Sequence, residues 1–266
     1  MIILFIIIVI LVILISSCNC SSCNLRNSRN SRKETFVNTI VNTTSSKDLI
    51  ISRYNEKLDY LSNGPFNIYN TIVYNKGLPM VSSQYKIHHI ANVGRCDHTY
   101  LYHIIENYDN LADITIFLPG SCLDKRKKVQ TLRTLRLVEE TNDSVFIGLR
   151  YNDVQNDMKD FKLDTWLNTS TENQEINMSN ELLPCSLRPF NDWYKEIFPN
   201  VKINFICYMG IFAVSKKHIL QHPKKYYEKL ILFLNNHSNP ECGHYFERAW
   251  IAVFHPIPES CLYLEQ

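Results

Sequence analysis

The sequence predicts an α/β fold with a mainly parallel sheet and helices on both of its faces. Short apolar runs of the β type alternate along the chain with segments whose apolar residues recur at helical spacing. Such alternation is typical of parallel sheets, because a crossover between parallel strands needs a connection long enough to form a helix. Turn residues close several of the runs and indicate where the elements end.

The first two strands are β-rich runs that end in polar residues. Leu49–Tyr54 is the first of them. Asn67–Tyr74 is the second, and Asn75, Lys76 and Gly77 close it. Polar groups that directly follow buried strands are candidates for ligand binding.

A helix and a returning strand come next. Asp97 can cap a helix that runs to about Tyr108, because an Asp side chain accepts hydrogen bonds from the first turn. Asp113–Leu118 then forms a strand that Pro119 and Gly120 close.

The second half of the chain continues the alternation with one irregular stretch. In order, the sequence predicts a basic amphipathic helix, a strand, a polar excursion, an apolar strand, a helical segment broken at Pro223 and a last helix. These elements correspond to Lys125–Glu140, Ser144–Leu149, Asn152–Leu183, Asn204–Val214, Lys216–Asn235 and Cys242–Phe254.

The N-terminal segment indicates a membrane or the secretory pathway. Ile2–Ile15 contains only Ile, Leu, Phe and Val, and as a helix it would span roughly 21 Å, less than the ~30 Å hydrocarbon core. A cleaved signal peptide and a short signal anchor are both open. We divide the chain into a signal anchor or signal peptide (1–23), a flexible polar linker (24–47) and an α/β domain (48–266).

Different residues favour the two possible orientations of this domain. Arg26, Arg29, Arg32 and Lys33 follow the apolar segment, and the positive-inside rule would then place the domain in the cytosol. Glycosylation sequons, which are used only in the lumen, begin at Asn42, Asn142, Asn168, Asn177 and Asn236. We favour a single-pass glycoprotein with a lumenal domain, held to the membrane by residues 2–15, or a secreted form.

Cysteine usage and charge limit the possible partners. A net charge of +2 with 20% charged residues does not indicate a nucleic-acid partner. Three cysteines beside the apolar segment could carry palmitate, namely Cys18, Cys20 and Cys23. Six others would allow three disulfides and include no closely spaced zinc pair: Cys96, Cys122, Cys185, Cys207, Cys242 and Cys261.

Polar residues at the strand ends form the first candidate site. Ligands of parallel sheets bind outside the carboxyl ends of the strands, and a helix N-terminus beside a glycine favours phosphate. Arg53, Lys76 and Arg95 together could neutralise a diphosphate. The alternative is a surface ion pair at Arg53 and a simple turn at Gly94. The candidate binding residues are Arg53, Asn55, Glu56, Asn75, Lys76, Asn92, Gly94 and Arg95.

Seven segments occur in one order along the chain: Ile51–Glu56, Ile72–Gly77, Asn92–Arg95, Thr99–Asp113, Phe117–Gly120, Phe212–Ser215 and Glu247–Trp250. This series resembles the family labelled domain of unknown function 3431 and covers most of residues 48–255. That family is similar in layout to glycosyltransferases of the A-type fold. The resemblance implies a Rossmann-like half that binds a nucleotide-sugar at the polar residues above, with a glycan or protein as acceptor.

Two departures from that pattern concern the cofactor. Cys96 follows Gly94 and Arg95, where the resemblance implies an acidic residue. Metal-dependent A-type transferases hold a divalent ion with two aspartates one residue apart, and this chain contains no Asp-X-Asp. The cofactor therefore stays unknown, with a divalent metal and a metal-free mechanism through Arg53, Lys76 and Arg95 both open.

Glu247 is the candidate catalytic base, and His244 is its candidate partner. Inverting sugar transfer requires a carboxylate that takes the proton of the acceptor hydroxyl during attack on the anomeric carbon. On a helix, residues three apart lie on one face, so His244 and Glu247 project together. The alternative is that Glu247 and Arg248 are solvated helix charges.

Two hypotheses about function remain. The motifs of serine hydrolases, dehydrogenases and P-loop kinases are missing from the sequence. One hypothesis is a membrane-anchored glycosyltransferase that uses a nucleotide-sugar, and the other is a non-catalytic lumenal or surface binding protein on the same fold. The missing Asp-X-Asp favours the binding protein, whereas Arg53, Asn55, Lys76, Arg95 and Glu247 favour the enzyme.

Overall fold

The structure, a computed structural model, describes residues 45–166 and 181–265. A single mixed sheet organises this part of the chain. Within these residues the sheet has seven strands in the spatial order β3-β2-β1-β4-β6-β5-β7. The strands are β1 (Lys47–Arg53), β2 (Asn70–Asn75), β3 (Lys86–His89), β4 (Ile114–Pro119), β5 (Val145–Arg150), β6 (Phe205–Ser215) and β7 (Leu262–Leu264).

The sheet is mostly parallel. β1 pairs in parallel with both β2 and β4, β2 pairs in parallel with β3, and β5 pairs in parallel with β7. β6 runs antiparallel to its neighbours β4 and β5. The carboxyl ends of β1, β2, β3 and β4 therefore lie along one edge of the sheet, which we call the carboxyl edge.

The described residues also form seven helices and short 3₁₀ turns. The helices are α1 (Arg95–Glu106), α2 (Lys128–Thr141), α3 (Tyr151–Lys159), α4 (Phe190–Ile197), α5 (Lys216–Ile219), α6 (Lys224–Ile231) and α7 (Glu241–Val253). The 3₁₀ turns comprise Asp59–Ser62, Phe66–Ile68, Tyr108–Asn110 and Glu259–Cys261.

Both faces of the sheet are buried. Ile50 of β1 belongs to the apolar cluster of α1, α4, α6 and α7, whereas Leu49 and Ile51 belong to the cluster of α2. Successive strand residues point to opposite faces, so a strand covered on both sides needs a continuous apolar run. Each fully buried side chain of this kind contributes about 1.5–3 kcal/mol to folding. Trp193 and Trp250 are the largest side chains buried on the α1 side.

The predicted α/β class and the predicted helices on both faces are confirmed. The predicted break at Pro223 is also confirmed, since α5 ends at Ile219 and α6 begins at Lys224 with Pro223 as its N-cap. Interpreting Asn152–Leu183 wholly as an irregular excursion was wrong, because α3 covers Tyr151–Lys159. β3, α4 and β7 were not predicted.

One disulfide joins Cys185 to Cys242 at the start of α7. Beside it, the fully buried carboxylate of Glu241 accepts hydrogen bonds from the Cys185 N–H at 2.8 Å and from Tyr245, and it pairs with Arg188 at 2.9 Å. The other described cysteines are unpaired, so three disulfides do not form within the domain: Cys96, Cys122, Cys207 and Cys261.

Several predictions fall on residues outside the described part of the chain. They are the signal anchor or signal peptide (1–23), most of the linker (24–47), and the sequons at Asn42, Asn168 and Asn177. Within residues 45–166 and 181–265, no helix has both the length and the apolar character needed to cross a bilayer.

Candidate functional site

The order of the strands defines where a ligand is expected. From β1 the chain continues to β2 and β3 on one side, and it then returns to β4 on the other side of β1. In open α/β sheets a crevice forms at such a reversal, outside the carboxyl ends of the two strands. Here that crevice lies between the ends of β1 at Arg53 and of β4 at Pro119, which we call the β1/β4 crevice.

Arg53 joins the end of β1 to the loop after β2. Its Nη1 donates to Asn75 Oδ1 at 2.6 Å and to the carbonyls of Tyr54 at 3.0 Å and Leu78 at 3.4 Å. Its Nε donates to the carbonyl of Glu56 at 2.9 Å. The guanidinium thus positions both loops through backbone carbonyls and Asn75.

Asn55 and Asn75 complete this loop network. Asn55 Oδ1 accepts from the Leu78 N–H at 3.1 Å, and Asn75 Nδ2 donates to the Leu78 carbonyl at 2.8 Å. A Cβ on Gly77 would collide with the carbonyl of Tyr54, so glycine is required at that close approach. The two predicted clusters at the ends of β1 and β2 are therefore one structure.

Lys76 points from the end of β2 into the start of α1. Its ammonium is buried and donates to the carbonyls of Val93, at 2.5 Å, and Arg95. Burial lowers the pKa of Lys76 to about 7, because the charged form loses its hydration, and the Arg95 charge adds to that effect. Lys76 fixes the approach of α1 to the crevice.

The loop before α1 is tightly held. Gly94, the N-cap of α1, has φ +58° and Arg95 has φ +53°, both in the left-handed region. The Gly94 N–H donates to the carbonyl of His237 at 2.7 Å, and a Cβ on Gly94 would collide with Leu234. The Gly94 N–H is therefore already bound by a carbonyl of the protein. Asn92 lies half-buried in the same loop. An anion here would have to use the next N–H groups of the first turn.

Glu56 spans the β1/β4 crevice. Its carboxylate is buried, and its Oε2 accepts from the Tyr54 N–H at 2.7 Å. A Cβ built on Gly120, at the end of β4, would lie 2.7 Å from the same oxygen. Just beyond, Lys127 Nζ donates to Ser121 Oγ at 2.5 Å. Acidic and basic groups thus meet where β1 and β4 end.

Glu247 reaches the carboxyl edge from α7. One carboxylate oxygen accepts from the Met209 N–H, and the other lies 3.3 Å from Arg248 Nη1. His244 Nδ1 lies 4.0 Å from that second oxygen, so the predicted common face is confirmed. The Glu247 side chain keeps 24% of its surface exposed, which leaves it accessible to a small molecule.

A backbone irregularity in β6 brings Met209 to Glu247. The register between β5 and β6 shifts between Phe146 and Gly148, and Met209 and Gly210 take left-handed φ values of +69° and +62°. The bulge turns the Met209 N–H out of the ladder. A Cβ on Gly210 would lie 2.9 Å from Cys96 Sγ, so the bulge also contacts the start of α1.

His244 lies in a buried, positively charged setting. Burial, and then the charges of Arg95 and Arg248, hold the pKa of His244 well below its usual range, so the imidazole is neutral at pH 7. Its Nε2 is buried and has no hydrogen-bond partner among the described residues. Its ring lies 5.0 Å from that of Trp166.

Asp97 is the site residue that the sequence analysis missed. It is not a helix cap, because the N-cap of α1 is Gly94, and its Oδ1 accepts from Trp250 Nε1 at 3.0 Å. Burial and then the charge of Glu247 raise the pKa of Asp97 to about 7. The resemblance implies an acidic residue at position 96, and the chain has one at the next position. That neighbouring aspartate was the signal from which this site residue could have been found.

Trp166 covers the cationic side of the site. The Arg95 guanidinium stacks 3.8 Å from the centre of its ring, and Arg95 Nη1 donates to Asn239 Oδ1 at 3.1 Å. Trp166 lies in the stretch interpreted as an excursion, so its role could not be expected from position alone. It adds an aromatic surface beside the two carboxylates.

The structure thus brings the predicted residues together at the carboxyl edge, where they form two groups. Arg53, Asn55, Asn75 and Lys76 bond to backbone and to one another and shape the edge. Arg95, His244 and Glu247, joined by Asp97 and Trp166, line its more open part. Among the described residues, the group of side chains arranged for a metal ion is not here but at Asp143, His218 and Cys261.

The fold and site define an α/β protein whose candidate site lies at the carboxyl edge of a mostly parallel sheet. The chain belongs to the family described as protein of unknown function (DUF3431), whose family model matches residues 49–266. This match confirms the resemblance to that family. No curated protein and no solved structure matches the chain.

Proposed function

We propose that this protein is a Rossmann-like, A-type glycosyltransferase-like enzyme that transfers a sugar from a nucleotide-sugar to a glycan or protein acceptor. The observation that carries the proposal is the position of Glu247, a partly exposed carboxylate that the Met209 N–H holds beside the β1/β4 crevice. The parallel order β3-β2-β1-β4 supports it, because the nucleotide-binding half of a Rossmann fold has the same order.

The donor site is assigned to the crevice and the start of α1. The first-turn N–H groups and the Arg95 guanidinium offer donors to a diphosphate, and Trp166 offers a ring face to a base or sugar. Arg53 and Lys76 contribute indirectly, because their hydrogen bonds hold the loops that form the crevice. A divalent ion could join the diphosphate, but no step of the proposal depends on it.

The chemical step assigned to Glu247 is proton transfer. The acceptor oxygen forms a bond to the anomeric carbon while the bond from that carbon to the diphosphate oxygen breaks, and its electron pair leaves with the nucleoside diphosphate. Glu247 takes the acceptor proton. Neutral His244 beside it can accept or donate a hydrogen bond without adding charge.

Donor binding is the first test. The full chain in detergent is screened by thermal shift against nucleoside diphosphates and nucleotide-sugars, with and without manganese. Arg95→Ala should weaken the binding of a hit roughly ten- to hundred-fold, the loss expected for one charge-assisted hydrogen bond. Arg136→Ala on α2, which removes an exposed guanidinium in a surface pair, is the matched control. Equal affinities for both variants would remove Arg95 from the donor site.

Turnover is the second test. Glu247→Gln keeps the size of the side chain but cannot take a proton, so donor binding should survive while the rate falls about 10²- to 10⁴-fold. Glu228→Gln, which changes an exposed carboxylate on α6, should leave the rate unchanged. Wild-type turnover in Glu247→Gln would end the catalytic assignment.

The alternative function is a non-catalytic lumenal or surface binding protein on the same fold. The observation that favours it is the loop network, in which Arg53, Asn75 and Lys76 use their donors on the protein itself. A wild-type protein that binds nucleotide-sugars but turns over none of a broad panel of donors and acceptors would decide for this alternative.

A further inference from the structure

A second cluster of reactive side chains lies at the edge of the sheet opposite the crevice. Asp143 precedes β5, His218 lies in α5 after β6, and Cys261 precedes β7. One ligand atom of each residue lies within 4.8 Å of those of the other two. The three residues come from segments far apart in the chain, so the tertiary fold, and not local sequence, brings them together.

We propose that Asp143, His218 and Cys261 bind a zinc ion, with water as the fourth ligand. A carboxylate oxygen, an imidazole nitrogen and a thiolate sulfur are the ligand types that tetrahedral zinc takes, whereas magnesium and calcium take oxygen ligands. Cys261 and His218 are buried, whereas Asp143 is half-buried.

The surroundings hold these ligands in place. The hydroxyls of Ser144 and Ser215 lie 2.6 Å and 2.9 Å from His218 Nδ1 and orient the imidazole ring. Zinc at Nδ1 would replace these hydrogen bonds, whereas zinc at Nε2 would keep them. Asp143 Oδ2 accepts from Lys217 Nζ at 2.6 Å, while Oδ1 faces the ring, 3.9 Å from His218 Nδ1. The Oδ1 atom also accepts from the Ser144 N–H at 2.7 Å.

The zinc ion would fasten the last strand to the sheet. β7 has three residues and pairs along one side with β5, starting at the residue after Cys261. So short an edge strand is weakly held by its backbone hydrogen bonds. A metal shared by Asp143 before β5 and Cys261 before β7 would tie the two strand starts together. Binding releases the Cys261 thiol proton to the solvent as the sulfur–zinc bond forms.

Metal titration tests the proposal. The full chain in detergent is stripped with a chelator and then titrated with zinc against a chromophoric competitor. Cys261→Ser should bind one zinc ion fewer than wild type, or it should bind that ion more weakly. The loss of affinity should then exceed the roughly 10- to 100-fold that a change outside the metal ligands costs. Cys207→Ser, which changes another buried unpaired thiol, is the matched control and should bind like wild type. The N-terminal cysteines are present in every variant and so cancel in the comparison.

Two further measurements keep the test decisive. Cobalt in place of zinc should give a thiolate charge-transfer band that is equally strong in wild type and Cys207→Ser and weaker in Cys261→Ser. Asp143→Asn, at a half-buried position, should weaken zinc binding even if Cys261→Ser folds poorly. The proposal is overturned if Cys261→Ser and Cys207→Ser bind the same amount of zinc with the same affinity, or if Asp143→Asn binds as wild type does.

Discussion

The carboxyl of Asp97 should make the stability of this protein depend on pH in a way that one substitution removes. Burial and the neighbouring charge of Glu247 raise the pKa of Asp97 to about 7 from 3.8. Between these two values the native chain keeps a proton that the unfolded chain has released. The free energy of unfolding therefore falls as pH rises from about 4 to 7, and it is unaffected by Asp97 outside that window.

The magnitude follows from the pKa difference. A rise of about 3 units at about 1.4 kcal/mol per unit gives roughly 4 kcal/mol as the largest loss of stability on going from about pH 4 to 7. Asp97→Asn cannot ionise, and its amide oxygen can still accept from Trp250 Nε1. The variant should therefore match wild type near pH 4 and exceed its stability near pH 8.

Urea unfolding of both proteins at several pH values, followed by tryptophan fluorescence, measures this difference. The buried imidazoles of His98, His103 and His244 have lowered pKa values and add a slope of opposite sign. They are present in both proteins, so they cancel when the variant is compared with wild type at each pH. A stability difference that stays constant from about pH 4 to 8 would refute the raised pKa of Asp97.

Three other predictions concern parts of the molecule outside the chemical step. The folded pKa of Lys76 is lowered to about 7, so stability should rise by about 2 kcal/mol between pH 7 and 9, and Lys76→Met should abolish that rise in urea unfolding. If the domain is lumenal, Asn142 and Asn236 should each carry a glycan that an N-glycosidase releases, since both asparagines are exposed. Asn142→Gln and Asn236→Gln should then each remove one glycan. An unglycosylated, membrane-bound wild type would instead indicate the cytosolic orientation. Replacing Cys185 and Cys242 together by Ser should lower the free energy of unfolding by about 4 kcal/mol, the loop-closure value for a separation of 57 residues, and an unchanged urea midpoint would show that the disulfide does not form.

The strands that could be predicted are those whose burial leaves a mark on the sequence. β1, β4 and β6 are covered on both faces and are continuous apolar runs. β3 could not be found this way, because Lys86–His89 is a half-exposed strand at the sheet edge with one apolar residue. The antiparallel direction of β6 was equally hidden, since an apolar run has no direction.

α3 was missed although its pattern was visible. Tyr151, Val154 and Met158 are spaced at i, i+3 and i+7, which is the apolar spacing of an amphipathic helix. Its other residues are Asn, Asp, Gln and Lys, and that polar composition concealed the periodicity. Spacing is the better physical signal here than composition, because it shows which face of the helix is buried.

The candidate site could be predicted where it follows from topology. Arg53, Asn75 and Lys76 stand at strand ends, and parallel strands bring their ends to one edge. The sequence could not show which residues far apart in the chain contact each other, such as Asp97 with Trp250 or Met209 with Glu247. These contacts depend on how α1 and α7 pack, which no local pattern encodes.

Backbone strain gives an independent reason to place function at this edge. Besides Asn142, the described residues with positive φ that are not glycine are Arg95 and Met209. A left-handed conformation costs such a residue roughly 1–2 kcal/mol, so the surrounding structure must hold it in place. Both lie in the candidate site: one turns the guanidinium onto Trp166, and the other turns its N–H toward Glu247. Strained residues of this kind cluster at functional sites, so their position agrees with the site that we propose.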